Sequence, residues 1–451
     1  MKENAADSNS SSQARTNNQT RTNNQAIITP RKQLQGTVTV PGDKSISHRS
    51  LMLGSLAEGT STITGLLEAD DCLSTLAIMR QLGVKITRTS PGSYKVEGQG
   101  LQGLKEPSNI LDCGNSGTSM RLLTGLLAAQ DFYSVLTGDS SLRSRPMARI
   151  TDPLSEMGAR IWSRQQGLAP LSIKGSSLRG ITFHQPVASA QVKSCLLLAG
   201  LYTGEKTTVV EPAPSRDHTE RMLQAAGVPL EIEDGAITLD ASTPPRLEPF
   251  ELTVPGDISS AAFLLAAALM VPDGHLIIKN VGINPTRSGI LTALEKMGAR
   301  LNIMNERKIS GEPVADLEIT SGSLQAIELS GDIIPSLIDE IPVLAVLDTQ
   351  AEGTTVISDA EELRVKETDR LAATARELNR LGAGVQEKED GLEITGPVSL
   401  TGGVTLKSYH DHRIAMAMAV AGLAADREVT IDNSRVISVS FPNFLDLLAE
   451  L

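Results

Sequence analysis

The chemistry-bearing residues of this chain gather just before or at the starts of apolar, helix-forming stretches. The densest group is Pro41-Gly-Asp-Lys-Ser-Ile-Ser-His-Arg49, in which Lys44, Ser45 and Arg49 precede or enter a helix. A helix N-terminus offers free N–H groups and the positive end of the helix dipole, so the cluster suits an anion. A solvated basic turn would have the same local composition. The stretch is not a P-loop, because Gly42 stands only two residues before Lys44 and the G-x-x-x-x-G-K-S/T spacing is missing. Gly114-Asn-Ser-Gly-Thr118, which contains Gly117, is a second place where bare backbone can approach an anionic group, although such helix entries also occur as plain turns. Arg145 in Leu142-Arg-Ser-Arg-Pro146, and Ser189 and Gln191 in Ser189-Ala-Gln-Val-Lys-Ser194, add donors at equivalent places.

The second half of the chain adds negative charge to this theme. Ile338-Asp339-Glu340 is expected to open a helix, where carboxylates commonly only stabilise the dipole. In Leu363-Arg-Val-Lys-Glu-Thr-Asp-Arg370, a helix would put Lys366, Glu367 and Arg370 on one face, as a site or as a surface salt-bridge array. Tyr409-His-Asp-His-Arg413 opens another apolar helix with Arg413 at its start. His410 and His412 two apart, with no cysteine or carboxylate cluster beside them, make a poor zinc signature. Neither a metal nor a cofactor is expected.

The elements that must position these groups recur. Six times a polar loop leads into an Ala/Leu-rich helix, a short strand and a second helix. Five of these second helices close on a glycine, in Leu82-Gly83-Val84, Met157-Gly158-Ala159, Ala226-Gly227-Val228, Met297-Gly298-Ala299 and Leu381-Gly382-Ala383. The period exceeds the 20 to 50 residues or so of solenoid repeats, so each unit is expected to be a whole βαβ-type module. Val40-Pro-Gly-Asp43 is echoed by Val254-Pro-Gly-Asp257, which divides the units into three plus three. The first helices are expected over Ser47–Leu56, Ser119–Ala129, Ala190–Leu201, Ser260–Met270, Ile338–Leu347 and Arg413–Ala425, buried within each half. Gly36–Val40 and Thr60–Thr64 read as strands, and Asp70–Leu82 as a second helix. Two domains are expected, one over residues 42–253 and one from residues 27–41 plus 254–451, with the chain crossing at the two Pro-Gly-Asp segments and the site in the cleft between them.

Composition narrows the function. A chain of 451 residues fits two cores, and with 2% aromatic residues and Trp162 as its only tryptophan, those cores must be aliphatic. The net charge of -12 argues against a nucleic-acid or anionic-membrane partner. Cys72, Cys113 and Cys195 are too scattered for a disulfide framework, so a cytoplasmic protein is expected. No apolar run suggests a membrane span or signal peptide. Residues 1–26 are read as a disordered polar extension, with an organelle transit peptide as the rival.

Taken together, Pro41–Arg49, Gly114–Thr118, Arg143-Ser-Arg-Pro-Met147, Leu363–Arg370 and Asp411-His-Arg-Ile-Ala-Met416 resemble the 5-enolpyruvylshikimate-3-phosphate synthase family from about Ile27 to Leu451. The resemblance implies an α/β fold of two inverse α/β domains, each of three βαβαββ repeats around buried helices. They would close over shikimate 3-phosphate and phosphoenolpyruvate in a monomer, with glyphosate as an inhibitor. It further implies that Ser45 and Arg49 hold the shikimate carboxylate, that Ser189, Gln191 and Arg216 serve its phosphate, and that Asp339 and Lys366 meet its hydroxyls. Arg370 and Arg413 would clamp the phosphoenolpyruvate carboxylate, with Lys44, Gly117, Arg145 and Gln191 around its phosphate. Asp339 would be the base on the 5-hydroxyl and Glu367 the proton shuttle at the methylene carbon, with Lys44 assisting phosphate departure.

The chain departs from the family pattern at several places. Ala190 replaces the second serine of a Ser-Ser-Gln pattern and looks like the class II branch. Glu362 replaces an asparagine, Val439 a lysine, and Leu122 a proline. The related UDP-N-acetylglucosamine enolpyruvyl transferases generally use a loop cysteine, and none lies between Leu142 and Met147. A repeat-built anion sensor without catalysis is the other alternative; Asp339 and Glu367 argue against it, since negative charge would weaken such a site.

Overall fold

The structure is a computed structural model that describes residues 24–451. The expected polar extension therefore lies outside the described residues, except at its end. There Asn24 O accepts from Ser434 N at 2.7 Å and Ala26–Ile28 is a strand, so ordered structure begins before the expected bound at residue 26.

Among the described residues, six sheets share one pairing rule. A central strand, such as Thr60–Thr64, Tyr133–Thr137 or Lys206–Val210, has a parallel neighbour on one side and an antiparallel hairpin on the other. In the fifth sheet the parallel neighbour is broken into Leu324–Gln325 and Glu328–Leu329. In the sixth, no hairpin flanks the central strand among the described residues. Ala26–Ile28 from the other end of the chain takes the antiparallel place beside Val429–Ile431.

The two Pro-Gly-Asp segments carry an exchange of strands. Gln33–Thr39 leads into the helix Lys44–Leu56, yet pairs in parallel with Asp273–Gly282 of the later half. Glu251–Thr253 leads into the helix Ile258–Met270, yet pairs in parallel with Thr60–Thr64 of the earlier half. Where they cross, Asp43 N donates to Pro255 O at 2.8 Å and Asp257 N to Pro41 O at 2.9 Å, a reciprocal pair of hydrogen bonds. The buried apolar residues fall into two large clusters, one running from Ile46 to Val254 and the other combining Ala26 to Val40 with Ile258 to Leu448.

The first helix of each unit lies inside. Every residue of Ile258–Met270, Ile341–Asp348 and His412–Leu423 is buried. Small residues allow close approach: a Cβ on Gly125 would lie 2.1 Å from Cys195 O on the neighbouring inner helix. The second helices bury one face only, as in Arg370–Arg380. Their closing glycines 83, 158, 227, 298 and 382 all take positive φ, between 76° and 100°, which side-chain-bearing residues resist.

Two expected helices are corrected. No helix carries Lys366, Glu367 and Arg370 together: a 3-10 turn Glu361–Val365 ends at Lys366, and a new helix begins at Arg370. Asp369 starts that helix by accepting from Ala372 N at 3.1 Å, while Arg364 ties its own turn to Asp369, Glu387 and the Glu389 carbonyl. Nor does a helix start at Ile338. The inner helix is Ile341–Asp348 with Pro342 in its first turn, preceded by a short helix Ile334–Leu337, so Asp339 stands in the break between them. No helix among the described residues is long and apolar enough to cross a membrane.

Candidate active site

All six inner helices bring their N-terminal ends to one cleft. Its walls include Lys44 and Ser45, Gly117 and Thr118, Ser189 to Gln191, Asp257, Asp339 just ahead of its helix, and His412 and Arg413. The cap residues explain the precision. Asp43, Ser116, Ser189, Asp257 and Asp411 each accept a backbone N–H of the first turn, which fixes where five of the six helices start; Ile341–Asp348 has no side-chain cap and carries Pro342 in its first turn instead. The cavity has a volume of about 220 Å³ and is lined by residues of both core clusters' segments.

Of the residues singled out in the sequence, Lys44, Ser45, Gly117, Arg145, Ser189, Gln191, Arg216, Asp339, Lys366, Glu367, Arg370 and Arg413 line this cleft. Arg49 does not. It lies buried behind the wall, donating to Ser45 O at 3.0 Å, Thr219 Oγ1 at 2.7 Å and Ser194 Oγ at 2.7 Å. The cleft also holds Asp71, Arg121, Arg149, Arg287 and His412, which sequence reasoning did not assign to it. Asp71 is an ordinary first-turn acid by sequence, and only the fold sets it 3.1 Å from Lys44 Nζ. His412 was separable from His410 only by burial: His410 is exposed and His412 is buried in the cleft wall. Among the described residues no group of three or more His, Cys, Asp or Glu is placed to hold a metal ion.

Cations and carboxylates pair across the cleft. Arg370, 1% exposed, spreads its guanidinium over three acids: Nε to Asp411 at 2.8 Å, Nη1 to Asp339 at 3.1 Å and Nη2 to Glu367 at 2.6 Å. Arg216, from the other core, also contacts Asp339, and Arg413 donates to the Asp339 carbonyl at 3.1 Å. Arg145 reaches Glu367 at 3.4 Å and Asn115 Oδ1 at 2.7 Å. Arg121 donates to Gln191 Oε1 at 2.6 Å, and Gln191 Nε2 donates to Thr118 Oγ1 at 3.0 Å.

These contacts set the protonation states. Burial acts to raise the carboxyl of Asp339, but Arg413, Arg216, Lys366 and Arg370 outweigh it and hold the group well below the usual carboxylate range. Glu367 behaves likewise, burial being outweighed chiefly by Arg370 and Arg145, with Lys44 adding to them. Burial, with Lys44 and Arg413 adding to it, holds His412 well below the usual imidazole range. Two acids are thus ionised beside a neutral imidazole. Buried Arg145 Nε has no hydrogen-bond partner among the described residues, which leaves a free donor in the cleft wall, and His412 Nε2 is likewise unpartnered there.

A site with this many fixed donors, and with two carboxylates among them, suits proton transfer on a small, multiply anionic reactant. Comparison with known proteins narrows it further. The family model of EPSP synthase (3-phosphoshikimate 1-carboxyvinyltransferase) matches residues 28–448. The chain is 55% identical over 431 residues to a 3-phosphoshikimate 1-carboxyvinyltransferase of Gloeothece citriformis, covering 94% of this chain and 96% of the relative. It is 52% identical to one of Desulforamulus reducens, covering 94% and 99%. Among solved structures, an EPSP synthase from Acinetobacter baumannii is similar with a TM-score of 0.84 and 46% identity, over 94% of this chain and 98% of that one. The enolpyruvyl transferase NikO from Streptomyces tendae, at 18% identity and a TM-score of 0.78 over 94% and 96%, shares the fold. With its six-fold α/β architecture and ion-paired cleft, the chain belongs to the EPSP synthase family of 3-phosphoshikimate 1-carboxyvinyltransferases.

Proposed function

We propose that this cleft binds shikimate 3-phosphate and phosphoenolpyruvate together and that its paired carboxylates carry the proton transfers. The family's reaction, EC 2.5.1.19, moves the enolpyruvyl group of phosphoenolpyruvate to the 5-hydroxyl of shikimate 3-phosphate and releases phosphate, a step of the shikimate pathway. One observation carries the residue assignment: six helix N-termini, nine lysine and arginine side chains and the two ionised acids Asp339 and Glu367 share one cleft.

In this reading Ser45, Ser189, Gln191, Arg216 and Lys366 hold shikimate 3-phosphate, with Arg49 reaching its carboxylate through a rearrangement of its present bonds to Ser194 and Thr219. Arg370 and Arg413 clamp the phosphoenolpyruvate carboxylate, where a planar guanidinium matches two oxygens. Lys44, Arg145, Gln191 and the bare backbone at Gly117 surround the phosphate, and Lys44 also reaches the shikimate 3-phosphate side.

Ionised Asp339 takes the 5-hydroxyl proton as that oxygen attacks C2 of phosphoenolpyruvate, and Glu367 delivers a proton to C3. The resulting tetrahedral adduct loses phosphate and a C3 proton, with Lys44 stabilising the leaving group. Glu367 starts ionised, so it must first gain a proton. The arriving anions supply the means, because they draw Arg145 and Arg370 away and relax the field that depresses its carboxyl.

The division into domains over residues 42–253 and 27–41 plus 254–451 is supported by the two apolar clusters, and closure between them by the cross-cleft ion pairs. A monomeric, cytoplasmic enzyme completes the reading, with glyphosate occupying the phosphoenolpyruvate pocket; three buried free cysteines fit a reducing compartment. The test is phosphate release from phosphoenolpyruvate by the full chain. It should require shikimate 3-phosphate, and release supported equally by UDP-N-acetylglucosamine would overturn the substrate assignment.

A further inference from the structure

Outside the reacting centre a second ion pair spans the cleft. Arg149 stands in the helix Ala148–Glu156, and its Nη1 donates to both oxygens of Glu362 at 2.8 and 2.7 Å. The two residues are 213 positions apart and come from segments belonging to different apolar clusters. Glu362 lies in the 3-10 turn that ends at Lys366, and its carboxylate is 3.8 Å from Lys366 Nζ. Four residues before Arg149, Arg145 meets Glu367 at 3.4 Å. The 362–367 segment is therefore held to the 145–149 segment by two rungs, an inner one at the reacting centre and an outer one at the mouth.

The rungs face different fates when reactants enter. Arg145, Arg216 and Arg370 must exchange Asp339 and Glu367 for incoming phosphate and carboxylate groups, so the cohesion they give the empty cleft is lost at that moment. Arg149 and Glu362 have no such duty. We propose that this pair is a clasp: it holds the two halves together while the inner pairs re-partner, and it positions Lys366 and Glu367 through the short turn that Glu362 anchors. The chemistry explains the residue types. A carboxylate gives the arginine two charged acceptors, whereas the asparagine of the family pattern would offer one neutral oxygen. The clasp is part-exposed, at 40% for Arg149 and 28% for Glu362, so its strength must depend on ionic strength.

The inference rests on the reading that the reactants enter this cleft, which turnover by the unsubstituted chain tests by itself. The clasp is tested by kinetics of Arg149→Gln, Glu362→Gln, the double variant, and the exchange Arg149→Glu with Glu362→Arg, at low and high salt. Each single substitution should raise KM for phosphoenolpyruvate by about two- to tenfold at low salt, with a smaller change in kcat. The double variant should be no worse than the worse single one, because either change already removes the bond. The exchange should recover most of the loss, and salt should bring the unsubstituted enzyme toward the variants. Melting temperatures confirm that all variants fold. Losses that add in the double variant, a loss confined to Glu362→Gln, or unchanged KM in every variant at low salt would each overturn the clasp.

Discussion

Asp339 and Glu367 are joined through one guanidinium: Arg370 places Nη1 3.1 Å from an Asp339 oxygen and Nη2 2.6 Å from a Glu367 oxygen, while its Nε is pinned by Asp411 at 2.8 Å. The acid on which Arg370 is anchored is thus separate from the two it presents to the cleft. Substituting either presented acid leaves the anchor in place, so the variants report on chemistry more than on folding.

Asp339→Asn removes the base but keeps a side chain of the same size beside Arg216, Arg370 and Arg413. Turnover is expected to fall by about 10²- to 10⁴-fold, with shikimate 3-phosphate still bound. Near-normal kcat with intact binding would show that another group accepts the hydroxyl proton.

Glu367→Gln should separate binding from catalysis. Glu367 competes with anions for Arg145 and Arg370, so its neutralisation is expected to lower KM for phosphoenolpyruvate or leave it unchanged, while kcat falls by about 10²-fold or more. Steady-state kinetics decide it. A raised KM with little change in kcat would mean that Glu367 only braces the arginines.

Gly117→Ala puts a methyl group 2.9 Å from Arg121 Nη1 and 3.3 Å from Arg145 Nη1. Both guanidinium groups must move, and they line the proposed phosphate pocket. KM for phosphoenolpyruvate should rise several-fold and inhibition by glyphosate should weaken further, read by competition assays. Unchanged values for both would remove Gly117 from that pocket.

Asp348, far from the cleft chemistry, predicts a pH dependence of stability. It is buried beneath Thr355, whose Oγ1 donates to it at 3.0 Å, and burial pushes its carboxyl up to about 7. A raised folded-state value means that the neutral form is favoured in the fold. The native state therefore loses stability as pH rises from about 4 to about 7, by about 4 kcal/mol at most. Asp348→Asn escapes this loss, at a cost of about 1 to 3 kcal/mol if its amide stays unpaired. The difference in unfolding free energy between variant and parent should therefore grow in the variant's favour by about 1.3 kcal/mol per pH unit near pH 5, falling to about half that near pH 7. A difference independent of pH would show that Asp348 is ionised in the fold.

Much of this protein could be read from local sequence because local physics set it. Thr60–Thr64 is a strand at the expected bounds, and the five closing glycines all sit at positive φ, since both features depend on neighbouring residues. The anion motifs were legible too, because Asp, Ser and Gly at a helix start have short-range reasons to be there. Where distant parts of the chain intervene, the reading failed. Arg364 leaves the expected 363–370 helix for bonds to residues 387 to 389. The break at Asp339 is by contrast local, set by Pro342 just after it and the short helix just before it. Asp71, Arg287 and His412 carry no local mark of a site.

The sequence by itself determined the repeat, its capped inner helices and the inventory of cations, hydroxyls and two acids. Only the tertiary structure decided which cation faces which acid: Arg145 with Glu367 across 222 positions, Arg216 with Asp339 across 123, and Arg149 with Glu362 across 213. Hydrogen bonds within a turn are fixed by nearby residues. An ion pair between two halves depends on how both cores and the crossing strands between them orient the walls, and no local pattern records that.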